Sequence, residues 1–63
     1  MGRYDSNIAN AREMLETAEA ELSSAVQSTA TAAPGVRDFV ISNKQQAVDE
    51  AKSMIETFER AND

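Results

Sequence analysis

Cysteine and histidine are both absent from this chain. No disulfide can staple it, and the commonest ligands for zinc, iron and copper are missing, along with the most versatile general base and the best nucleophile. Only two glycines occur, Gly2 and Gly35, so no phosphate-cradling loop can be assembled. Aromatic residues make up 5% of the sequence, and Arg3-Tyr4 is the sole basic-aromatic pair outside the expected helices, too little for a nucleic-acid platform. No apolar run approaches the ~20 residues of a membrane span, and no basic leader precedes an apolar signal core. These absences lead to the expectation of a soluble, cytoplasmic protein that is not an enzyme, with no catalytic residue, no cofactor and no metal.

Charge narrows the partners. Eleven carboxylates stand against six basic side chains, a formal charge of −5, so the average field repels nucleic acid. The expected partners are a second copy of the chain and another protein, with neither direct nucleic-acid nor membrane contact. With 63 residues the sequence holds one domain at most, and a helical hairpin of this size rarely buries enough apolar surface to be comfortable alone. Met1-Gly2 with Ser6 satisfies the loose myristoylation pattern, but Ser6 has a simpler use as a helix cap.

What the sequence does contain is a three-four apolar rhythm from Ile8 to Ala32. Good helix formers such as Ala11, Arg12, Glu13, Met14, Leu15 and Glu16 carry it. Residues 1 to 5 show no periodicity and read as a loose lead-in, with Asp5 or Ser6 as N-cap. Beyond Leu22 the composition turns to serine and threonine, which predicts a fraying helix that Pro34-Gly35 ends. Val36 to Ile41 fits either a helical turn or an extended segment. Ser42 followed by Gln45 forms a capping-box pattern, so a second helix starts either near there or at Pro34. The expectation adopted is helix at about 6–32, a turn at about 33–37, and helix at about 38–61, in one domain spanning 1–63.

Both halves fit a heptad seam. Ile8, Leu15 and Leu22 alternate with Ala11, Ala18 and Ala25, and Ile41, Val48 and Ile55 alternate with Lys44, Ala51 and Phe58. An antiparallel fold-back with Leu15 opposite Phe58 would match Ala18 with Ile55, Leu22 with Ala51, Ala25 with Val48 and Ala32 with Ile41. In four of these five layers, all but Leu15 with Phe58, a small residue meets a large one, as close packing requires. The same register would put Arg12 beside Glu59, Glu19 beside Lys52, and Thr29 opposite Lys44.

The fold class expected is therefore all-α, an antiparallel two-helix hairpin that dimerises into a four-helix bundle. The proposed contact edge is Met14, Val40, Ala47, Met54 and Ala61, with Phe39 and Val36 near the loop. Methionines at helical spacing are usually ordinary core, and a second copy is the simplest cover for them. Glu13 and Glu16 are three apart on a helix and Asp49-Glu50 form a second acidic pair, but a ferritin-like site also requires a Glu-x-x-His element that is absent. A solvated helix face is the simpler reading.

In length and hairpin outline the chain resembles the small RNA-binding plasmid copy-number regulators. No motif matches theirs and the charge has the wrong sign for RNA, so their function is not carried over. The functional expectation is a non-enzymatic homodimer acting by protein-protein contact, as a regulator, adaptor or assembly component. The alternative is an acidic, phage-type inhibitor that occupies a nucleic-acid-binding or other basic surface, an idea resting on fold-level analogy.

Overall fold

The computed structural model describes residues 2–62 and contains two helices, α1 (Asp5–Ser28) and α2 (Pro34–Ala61), packed antiparallel. No strand occurs among the described residues. The molecule is a rod of 49 × 15 × 8 Å. Neither helix is long and apolar enough to cross a membrane.

The all-α hairpin agrees with the sequence expectation; the helix ends do not. α1 stops at Ser28, four residues short of the expected end at 32. The hydroxyls of Ser28 and Thr29 and the Thr29 N–H all donate to the Ala25 carbonyl. These side chains replace the next helical turn with local bonds, and Ala30 and Ala32 then close tight turns onto Gln27 and Thr29. Thr29 is thereby buried without an unpaired hydroxyl.

α2 begins at Pro34, four residues before the expected 38. Ala33, held extended at φ −58°, ψ 143°, obeys the usual restriction before proline, and Pro34 itself occupies the first helical position, where its missing N–H costs nothing. Gly35 is the second residue of that helix, not a turn glycine; no residue among those described has a left-handed backbone. The Ser42 capping box is likewise unused: Ser42 lies within α2, and Gln45 donates to Asp49 instead.

The lead-in is also ordered from Gly2 onward, Met1 lying outside the described residues. Gly2 N–H donates to Asp5 Oδ2, while Tyr4, not Asp5 or Ser6, sits at the N-cap and makes no side-chain cap bond. The Tyr4 N–H donates to Asn62 Oδ1 at 2.8 Å, and Asn62 Nδ2 donates to Asp5 Oδ1 at 2.9 Å. Tyr4 packs on Phe58 with ring centroids 5.5 Å apart. Asn62 thus ties the two chain ends together through donor and acceptor at once.

These contacts correct the expected register. Phe58 meets Tyr4, whereas the expected partner, Leu15, lies about 16 Å further along α1 by helical rise. Lys44, expected opposite Thr29, binds Glu21 at 2.9 Å, about 12 Å away along the helix. The seam is slipped by one heptad, which sets Ile8 level with Phe58, Ala11 with Ile55, Leu15 with Ala51, Ala18 with Val48, and Ala25 with Ile41. A slip of one heptad keeps every small-to-large match in kind and gives Ile8 a partner it would otherwise lack. The buried apolar residues, Ile8, Ala11, Ala25, Val48 and Ala51, all lie on this seam.

Candidate interaction surface

Two flanks run along the seam, one on each side, and they differ in chemistry. The first carries the heptad positions that follow the d residues: Arg12, Glu19, Lys52 and Glu59. Arg12 and Glu59 form an ion pair at 2.9 Å with both side chains largely in water. This pair was expected, but it does not discriminate between registers, because the arginine side chain is long enough to span the difference. The companion pair, Glu19 with Lys52, is not among the ion pairs of the described residues. A small polar recess between Asp5, Ile8, Arg12, Glu59 and Asn62 marks the open end of this flank.

The second flank is the candidate site. Met14 from α1 and Ala47 and Met54 from α2 line an open groove of about 560 Å³, floored by Ala18 and Ala51. Alanine on both sides of the seam lets the helices approach closely, and the longer methionines stand up at the edges. Met14 is 51% exposed and Met54 37%. Glu13, Glu21 and Glu50 rim the groove, and its one cation, Lys44, is bonded to Glu21 across the loop-proximal end. The site is therefore an apolar trough with an acidic border.

The other residues of the expected contact edge fall elsewhere. Val36 and Phe39 project from the first turns of α2, 56% and 69% exposed, with half-buried Val40 on the same side. They form a separate apolar tip at the loop end. Ala61 is exposed at the opposite, open end of the rod. The alanine floor follows from the heptad seam, but the rim does not: only the true register shows that Glu13 and Glu21 of α1 and Glu50 of α2 border one groove. Sequence reasoning also missed Val26, 39% exposed on the charged flank.

Nothing in this arrangement gathers reactive groups. Glu13 and Glu16 are exposed, and among the described residues no cluster of three or more carboxylates is placed to hold a metal ion. What the groove offers is van der Waals contact for an apolar stripe and charge on either side of it, the features of helix recognition. No family model matches the chain, and neither a curated protein nor a solved structure matches it.

Proposed function

We propose that this chain is a non-enzymatic, homodimeric helical-hairpin protein that acts by protein-protein contact, as a regulator, adaptor or assembly component in the cytoplasm. The observation that carries the reading is the one-sided exposure of Met14, Ala47 and Met54 beside a seam whose buried residues are mostly alanine. A hairpin with so small a core gains from covering that flank. Each large side chain transferred from water contributes roughly 1.5 to 3 kcal/mol. A second hairpin laid on the groove makes a four-helix bundle, the simplest closed arrangement for such a face.

Light scattering at micromolar concentration tests this reading. A particle of twice the 6.8 kDa chain mass is expected, and a well-folded monomer throughout the range would refute it.

The acidic rim favours a second reading, in which the groove engages a basic surface of a different protein and blocks it. Ionic strength separates the two. Capture through Glu13, Glu21 and Glu50 weakens steeply as salt rises, whereas self-association through methionine and alanine does not.

A further inference from the structure

Resting on the self-association proposed above, the geometry points to one specific dimer: the two copies of α2 lie antiparallel, with the two-fold axis crossing between Ala47 and Met54. The edge of α2 that borders the groove sets this choice. Val40, Ala47, Met54 and Ala61 recur along that side of α2 one heptad apart, alternating large and small, with Ala47 and Met54 in the groove and Val40 and Ala61 beyond its two ends. Reversing this row against itself about a point midway between Ala47 and Met54 sets Val40 against Ala61 of the partner and Ala47 against Met54 of the partner. Every large residue then meets a small one. Centring the axis on Ala47 would instead set Val40 against Met54, and centring it on Met54 would set methionine on methionine.

The alternative two-fold arrangement keeps both loops at one end and lays α2 on α1 of the partner. In the observed register this puts Glu21 on Ala47 and Asn7 on Ala61, pressing polar groups against an apolar row. The antiparallel arrangement sets α2 on α2 of the partner and so keeps Glu21 off the apolar row. Its axis also falls near the middle of the rod, so the copies overlap along most of their length. With the axis about 4.5 Å from the rod's centre the copies overlap over roughly 40 Å, which at a width of 15 Å offers about 600 Å² per partner, at the lower limit of stable interfaces, ~1,200 Å² in total.

One feature opposes the contact and makes it testable. Glu50 lies at the level of the axis on the groove rim, so the two copies bring their Glu50 carboxylates together at the centre. Removing that charge therefore tightens this dimer, whereas it would weaken capture of a basic partner.

The chain has no cysteine, so single cysteines report proximity without background. Ala47→Cys and Met54→Cys are prepared separately, mixed at concentrations where the native chain is dimeric, and oxidised. The mixture is expected to give a disulfide-linked dimer while each variant alone gives little, because like positions lie about 10 Å apart along the axis, beyond disulfide reach. Glu50→Gln is expected to tighten self-association roughly two- to fivefold at low salt, by sedimentation. Efficient linking of Met14→Cys with Met54→Cys, or of Ala47→Cys with itself, would overturn the geometry while leaving a dimer in place. A native chain that stays monomeric removes the dimer itself. Weakened self-association in Glu50→Gln would also overturn the antiparallel axis.

Discussion

Of the two flanks that border the seam, one is closed by charge and the other is left open. Arg12 and Glu59 pair across the first and keep it wetted, and among the described residues no large apolar side chain other than Val26 is exposed along it. On the second, Met14, Ala47 and Met54 stand in an apolar trough, and charge is confined to the border. A hairpin needs only its seam to bring two helices together. Apolar residues spent on one flank and withheld from the other therefore point to contact with something further, and the way to test that contrast is to alter each flank in turn.

The largest effect is expected from Met54→Glu. A carboxylate placed at the centre of the proposed dimer face finds only Lys44 as a nearby cation, already bonded to Glu21, and is otherwise among acidic neighbours, so either it stays hydrated and the copies separate or it is buried at high cost. The dimer Kd should rise at least ~100-fold, about 3 kcal/mol. Helicity should fall with it, since the hairpin core alone is small; sedimentation and circular dichroism report the two losses together. The same charge added to the wetted flank, Gln45→Glu, should cost no more than ~0.5 kcal/mol, from its new repulsion with Asp49 one turn away. Equal losses from both substitutions would erase the distinction between the flanks.

The contrast between flanks was legible in the sequence because it depends only on heptad position. Met14 and Met54 fall on one side of the seam and Arg12 and Glu59 on the other whichever layers face each other. Register was not legible for the same reason: sliding one helix by seven residues returns every apolar position to an equivalent one. The Arg12–Glu59 pair could not break the tie, because long side chains tolerate the slip. What fixes register is the loop, where Ser28 and Thr29 turn their hydroxyls onto Ala25 and Pro34 starts the next helix at once. A connection of the same length, placed four residues earlier in the chain than expected, draws Phe58 down to Tyr4. The Tyr4–Asn62 bond has no local signature at all, being a polar contact between residues at opposite ends of the chain. The acidic rim became visible only once the register brought Glu13, Glu21 and Glu50 around one groove.

Asn62 offers an intermediate effect that tests the register without touching either flank. Asn62→Ala leaves the Tyr4 N–H without its acceptor and Asp5 without its long-range donor. A loss of about 1 kcal/mol is expected for these partly exposed bonds, a fall of roughly 4–8 °C in Tm for a chain of this size. Under the expected register Asn62 would lie beside Ala11, far from Tyr4, and the same substitution would do almost nothing. Calorimetry at fixed protein concentration distinguishes the outcomes.

Gly35→Ala should move stability the other way. Gly35 lies in the first turn of α2 with an ordinary helical backbone, and a methyl group built there meets nothing within 4 Å. Alanine restricts the unfolded chain and loses nothing in the folded one, a gain of about 0.4–1 kcal/mol measurable by urea unfolding. Destabilisation would mean that Gly35 serves a turn after all, and that α2 begins later than Pro34.

The smallest effect belongs to the wetted flank. Arg12 and Glu59 hold an ion pair at 2.9 Å, but their side chains are 63% and 48% exposed, so water and salt screen most of the attraction. A double-mutant cycle with Arg12→Ala and Glu59→Ala should return a coupling of only ~0.2–1 kcal/mol, shrinking further as salt is raised. Self-association should be unchanged in all three variants, because neither side chain lies on the groove side of the seam. A coupling above ~2 kcal/mol, or a change in dimer Kd, would mean that this flank is also desolvated by a second molecule. The open methionine flank would then be only one of two contact faces, and the hairpin would be built for a lattice or filament instead of a closed pair.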